Sequence, residues 1–163
     1  MWLYEGAAAA AIQRAKYSGE LWRLRSLGKR LAGWFERLSD LQRPGSLLTA
    51  VPMHNAELRE RGYNVAIQIA KYATANSAID TAWNVLEKTE PTRNQAGLTR
   101  GERLDNVADV FRVRRSSLVA DRHVILVDDV ITTGATVAAT SRALSGAGAA
   151  RITVVAAARA PSG

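Results

Sequence analysis

The chain reads as an α/β protein: a central, mainly parallel sheet flanked by helices, with a small helical region at its N-terminus. Three observations predict this. Short apolar runs suited to buried strands recur at 47–51 (LLTAV), 124–127 (VILV) and 151–158 (RITVVAAA). Stretches with helical spacing separate them, and strands alternating with helices imply parallel β-α-β units. No internal repeat or low-complexity linker divides the chain. The expectation is therefore one domain over 1–163, with a helical region at 1–45 and a core at 46–160.

Residues 7–40 read as helix. Ile12, Leu21, Leu24, Leu27, Leu31, Trp34, Phe35 and Leu38 are its apolar positions, largely keeping a three-to-four spacing from Leu21 onward, and Ser18-Gly19 splits a first helix from a second. Arg14, Lys16, Arg23, Arg25, Lys29, Arg30 and Arg37 decorate this region as either a solvated or an anion-binding face. Arg43-Pro44-Gly45-Ser46 is a turn. Strand 47–51 leads through a loop into a helix over 56–75, N-capped by Asn55 and interrupted near Arg61-Gly62. A strand is expected at 81–86. Residues 87–106 are polar, arginine-rich and weakly periodic. Residues 107–113 alternate as a strand should, with Val107, Asp109, Phe111 and Val113 on one side. Strand 124–127, a helix at 137–145 ended by Gly146 and Gly148, and strand 151–158 complete the pattern.

At 163 residues the chain can bury a substantial core. No apolar run approaches the roughly 20 residues needed to span a membrane. The alanine-rich N-terminus has no basic stretch before it, as a secretory signal would, so the cytoplasm is the expected location. The absence of cysteine excludes disulfides, thiolate metal sites and thiol catalysis. Two histidines, His54 and His123, are too few for a histidine zinc site unless carboxylates complete it, and His123 reads as a strand-edge residue. The net charge is +7, and 18 of the 22 basic residues are arginine. Such a surface favours polyanions, namely phosphorylated metabolites, nucleotides or nucleic acid. A GC-rich coding sequence gives the same alanine and arginine bias.

Residues 124–136, VILVDDVITTGAT, carry the clearest chemistry. Two adjacent carboxylates, Asp128 and Asp129, stand where the apolar strand is expected to end. A turn of Thr132, Thr133, Gly134, Ala135 and Thr136 follows, then an alanine-rich helical stretch. In an open α/β sheet, ligands bind beyond the carboxyl ends of the strands. A turn entering a helix presents unpaired N–H groups and the positive end of the helix dipole, which suits phosphate. Gly134 lets the backbone approach the anion, and the threonine hydroxyls add donors. Two carboxylates repel a neighbouring phosphate unless they accept hydrogen bonds from sugar hydroxyls or face a divalent cation. The combination points to a phosphorylated sugar with vicinal hydroxyls, together with Mg²⁺. The alternative is an ordinary strand-to-helix connection with an acidic tip. A Walker-type loop is excluded, because no G-K-[ST] follows the glycine.

This segment resembles the phosphoribosyl pyrophosphate (PRPP) motif of the type I phosphoribosyltransferases. The resemblance implies that Asp128 and Asp129 contact the ribose hydroxyls and a metal, through the ligand or water. It assigns Thr132, Thr133, Gly134, Ala135 and Thr136 to the 5′-phosphate. Three further segments resemble the ComF (competence protein F-like) family of that superfamily. The first, VPMHNAELRERGYN at 51–64, implies a pyrophosphate loop of Met53, His54, Asn55 and Ala56, with Arg59 and Arg61 near it. The second, at 86–111, implies a mobile loop that closes over the reacting centre and excludes water, with Lys88 and Arg93 as catalytic cations on the leaving group. Glu87 and Glu90 depart from the basic residues expected there, and a solvated, salt-bridged hairpin is the alternative. The third, at 11–32, matches at Lys16, Tyr17 and Gly19. It implies a hood that helps select the acceptor base, where Tyr17 or Trp22 stacks on the base or else belongs to the core. Full-length ComF relatives often carry an N-terminal four-cysteine zinc module. This chain lacks its cysteines, the module being either lost or removed.

The resemblance thus implies a type I phosphoribosyltransferase-like fold. It implies a protein that binds PRPP with Mg²⁺ and transfers phosphoribose to a nitrogen base, releasing pyrophosphate. An alternative from a different class is a non-catalytic competence adaptor that binds single-stranded DNA or a helicase partner while retaining a nucleotide pocket. Superfamily members often dimerise, and no membrane partner is expected. Nothing in the hood region names the acceptor.

Overall fold

A computed structural model describes residues 2–37, 45–90 and 110–160. Its centre is a five-stranded parallel sheet. The strands are β1 (Trp2–Leu3), β2 (Leu47–Ala50), β3 (Asp80–Thr81), β6 (His123–Ile131) and β7 (Arg151–Arg159), in the order β1-β7-β6-β2-β3. The short strands β4 (Leu86–Lys88) and β5 (Phe111–Val113) form a separate antiparallel pair. The helices are α1 (Gly6–Ser18), α2 (Leu24–Arg37), α3 (Asn55–Arg61), α4 (Val65–Thr74) and α5 (Ala135–Gly146). Among the described residues, no helix is long and apolar enough to cross a membrane.

The two faces of the sheet follow from the period-2 alternation of strand side chains. Leu48, Ala50, Ile125 and Val127 pack against Phe35 of α2 and Ala66, Ala70 and Ala73 of α4. Leu47, Val51, Val124 and Leu126 point the other way, onto Leu144 of α5 with Val85, Leu86 and Val119. Ile12 and Ala15 of α1 join Leu24, Leu27, Val65 and Ile69 over the end of β7. Each fully buried Leu or Ile contributes about 1.5–3 kcal/mol, so continuous burial along β2 and β6 dominates the stability of the core. At Gly28 of α2, a Cβ would lie 2.2 Å from the Cβ of Tyr72 and 3.0 Å from the Ile69 carbonyl of α4. Glycine there lets α2 lie directly on α4.

The architecture agrees with the α/β expectation, and several elements differ in detail. β6 does not stop before the acidic pair; it runs through Asp128 and Asp129 to Ile131, because the nine-residue β7 keeps pairing with it as far as Ile131↔Arg159. The strand expected at 81–86 is two pieces. Asp80–Thr81 pairs with β2, the chain turns at Trp83-Asn84, and Leu86–Lys88 pairs with β5. Of the strand expected at 107–113, Phe111–Val113 forms, and 107–109 lie outside the described residues. Helix α3 is capped by His54, whose Nδ1 accepts from the Ala56 N–H at 3.2 Å. Asn55, the expected cap, is already the first helical residue, because the imidazole fills the capping role. β1 had no sequence signal beyond three large residues at the start of the chain.

Candidate active site

The strand order reverses direction between β2 and β6. β2 leads through α3 and α4 to β3 on one side, while β6 leads through α5 to β7 on the other. A crevice at the carboxyl ends of two such strands is where open α/β sheets bind ligands. The Val51 N–H donates to the Val127 carbonyl at 2.9 Å, so the loop after β2 leaves the sheet beside Asp128. Three sequence-predicted segments therefore meet at one edge: the 53–56 loop, the acidic pair and the 132–136 loop.

Asp128 is buried, at 8% exposure. Continuing the alternation of β6 puts it on the α5 side and Asp129 on the side of α1. The Asp128 Oδ1 accepts from the Asp129 N–H at 2.8 Å, and the Asp129 Oδ1 accepts from the Val130 N–H at 2.8 Å. The other oxygen of Asp129 meets Lys16 of α1, with Nζ to Oδ2 at 2.6 Å. Burial, and next the charge of Asp129, push the Asp128 carboxyl up from 3.8 to about 7; the Lys16 ammonium opposes this.

The chain then turns through exposed Thr132 and Thr133 into α5. Gly134 stands at the helix entry with φ +81°, a left-handed conformation that side-chain-bearing residues adopt at a cost. The Thr133 hydroxyl accepts from the Ala135 N–H at 3.4 Å, and the Ala138 N–H reaches the Gly134 carbonyl at 2.9 Å. The Thr133 hydroxyl already takes the Ala135 amide, while the Thr136 amide belongs to the first turn, whose donors helical bonding leaves available to an anion. Thr136 is partly covered, and its carbonyl accepts from Thr140 at 2.7 Å.

On the other side of the crevice, Met53 and His54 are half-buried and Asn55 and Ala56 exposed. Arg61 turns its guanidinium to the Met53 sulfur at 3.9 Å, while Arg59 is exposed. A parallel bridge joins His54 to Lys88, which brings the end of β4 against this loop. Lys88 is largely covered, and its Nζ lies 3.7 Å from Glu57 Oε1. Arg93 lies outside the described residues. Glu87 points to the opposite face of β4 from Lys88, as adjacent strand residues do. Its carboxylate pairs with Arg112 and, at 3.2 Å, with Arg114.

Residues 59–163 match the family model of the phosphoribosyl transferase domain. The chain belongs to this family. It is 31% identical over 153 residues to Competence protein F of Haemophilus influenzae, covering 91% of this chain and 66% of that protein. The chain thus spans just under two thirds of that relative's length, and is ComF-like over nearly all of its own. Two solved structures share the fold, each at 20% identity and a TM-score of 0.52 over 82% of this chain: the allosteric regulatory enzyme of purine biosynthesis and the glutamine PRPP amidotransferase of B. subtilis complexed with ADP and GMP. The match covers 25% and 26% of those chains. At that identity the likeness concerns the type I phosphoribosyltransferase fold alone.

Three residues at this candidate site were not assigned a place in it from sequence. Asn64 is buried, donates to the Val51 carbonyl at 2.9 Å and caps α4 by accepting from the Ile67 N–H at 3.2 Å. Tyr63 donates to the Ala15 carbonyl of α1. Lys16 reaches the acidic pair. The signal for the first two was the G-Y-N turn itself, a break too specific for a simple helix stop. Lys16 matched the family pattern together with Tyr17 and Gly19, but that match gave it no role at the acidic pair, and it stood among seven basic residues. Tyr17 and Trp22 are 80% and 65% exposed, which removes the core alternative for both.

Proposed function

We propose that this protein binds PRPP with Mg²⁺ and transfers its phosphoribosyl group to a nitrogen base. In that reaction the bond from C1 to the diphosphate oxygen breaks, a C1–N bond forms, and pyrophosphate leaves. The observation that carries the reading is the acidic pair on β6, flanked at one sheet edge by a helix-entry turn and by the 53–56 loop. Asp128 and Asp129 would accept from the ribose hydroxyls. The 132–136 turn would hold the 5′-phosphate, and Met53, His54, Asn55 and Ala56, with Arg59 and Arg61 nearby, the pyrophosphate. Lys88, held against the 53–56 loop, is the candidate cation on the leaving group, with Arg93 as its proposed partner. No protein nucleophile is needed; positioning and electrostatics carry the rate.

The donor set suits Mg²⁺, an ion that keeps several waters and is held by one or two carboxylates together with substrate phosphates. Asp128 and Asp129 would hold it through the ligand or water, where it would neutralise the diphosphate. Pyrophosphate release from PRPP, screened over purine and pyrimidine bases, tests the assignment. Release with at least one base is expected and should vanish in Asp128→Asn/Asp129→Asn. Binding without release from any base would leave a sensor.

One observation favours a second reading, an adaptor that contacts single-stranded nucleic acid. Exposed Trp22 carries the Arg23 guanidinium 4.4 Å from its ring centroid and lines a groove with Arg25, Lys29 and Tyr72. Aromatic and basic groups so placed suit stacked bases and phosphates. Binding with a steep salt dependence, lost in Trp22→Ala, would support that reading.

A further inference from the structure

The ion pair between Lys16 and Asp129 joins the N-terminal helix to the centre of the site. Lys16 stands in the last turn of α1, where the helix dipole favours a cation. Its backbone is fixed twice. The Ala15 carbonyl accepts from the Tyr63 hydroxyl, and the Gly19 N–H closes the helix on the Arg14 carbonyl. Tyr63 belongs to the turn between α3 and α4 whose Asn64 also holds Val51 at the start of the pyrophosphate-side loop. The cation and that loop therefore hang on one turn.

The pair is largely covered, with side chains 25% and 15% exposed for Lys16 and Asp129. Among the described residues, no third His, Asp or Glu joins the acidic pair to make a metal cage. The acidic pair would repel a phosphorylated sugar, and the ammonium offsets the Asp129 charge without occupying the Asp129 oxygen that accepts from Val130.

We propose that Lys16 is a positioning residue of the site: it holds the Asp129 carboxylate for sugar hydroxyls and supplies a fixed positive charge, so that the phosphoribosyl end of the ligand binds without divalent metal. Mg²⁺ is then needed for the diphosphate end. This inference rests on the reading under Proposed function and adds the charge that makes an acidic pair compatible with a sugar phosphate.

Calorimetric titration of ribose 5-phosphate in EDTA, and of PRPP with Mg²⁺, into wild type, Lys16→Met and Lys16→Arg tests it. Wild type should bind ribose 5-phosphate in EDTA. Lys16→Met should weaken that binding at least about tenfold, as expected when one partner of a covered charge pair is removed, with part recovered by Mg²⁺. Lys16→Arg should stay within about threefold, since the guanidinium restores the charge. Equal binding by wild type and Lys16→Met in EDTA overturns the proposal, as does wild-type binding of ribose 5-phosphate only with Mg²⁺. If wild type does not bind PRPP with Mg²⁺, the phosphoribosyl reading itself fails. A double-mutant cycle of Lys16→Met and Asp129→Asn on thermal stability then judges the pairing. Coupled effects support it, and additive ones overturn it.

Discussion

Burial and the adjacent charge of Asp129 push the Asp128 carboxyl up to about 7, with Lys16 pulling the other way. The sign of the consequence is fixed by linkage. An acid raised above its unfolded value holds its proton more tightly when folded, so the fold loses stability as pH rises from about 4 through 7. Asp128→Asn removes that loss. The variant should melt increasingly above wild type as pH is taken from 5 to 8, whereas a difference independent of pH would contradict the assignment. Gly134 makes a second residue-scale case. Beyond its own chain neighbours, no atom lies within 4 Å of the position its Cβ would take, so the cost of a side chain there is conformational, not steric. Gly134→Ala should destabilise by roughly 1–2 kcal/mol from the left-handed backbone alone. It should also weaken ribose 5-phosphate binding, because relieving the strain turns the helix-entry amides. Chemical denaturation and calorimetry read the two effects separately.

Elements were legible in the sequence where burial alone decides them, and misread where a partner decides them. LLTAV and VILV declared buried strands because both faces of the sheet are covered. The end of β6 was hidden, because an acidic pair looks like a terminus and only the length of β7 carries the strand past it. Residues 81–86 read as one strand, bridging what are two separate pieces at Asp80–Thr81 and Leu86–Lys88, because the intervening Trp83 keeps the run apolar. The motif residues at 128–136 were evident from chemistry; that Lys16 reaches them depends on how α1 lies over β7, which no local pattern encodes. Two predictions belong here. Asn64→Ala strips a buried carbonyl of its donor and α4 of its cap, and should cost about 1–3 kcal/mol in urea unfolding. Gly28→Ala should destabilise by about 1–3 kcal/mol despite better helix propensity, because α2 must lift from α4. A stabilised Gly28→Ala would show that the two helices are not in this contact.

At the scale of the whole molecule, the sheet's reversal between β2 and β6 gathers segments distant in sequence, and the helices on its two faces hold them. The hood helix, the G-Y-N turn, the 53–56 loop and the acidic strand form one connected unit through Lys16, Tyr63, Asn64 and Val51. With a net charge of +7, the chain as a whole also attracts anionic ligands, so binding alone is weak support unless it depends on the acidic pair. The most direct measurement is therefore calorimetric titration of PRPP, with and without Mg²⁺, into wild type and Asp128→Asn/Asp129→Asn. Binding to wild type that Mg²⁺ strengthens and the double variant loses is the predicted result. No binding to wild type at sub-millimolar PRPP, or binding that the double variant retains, would contradict a phosphoribosyl site on β6.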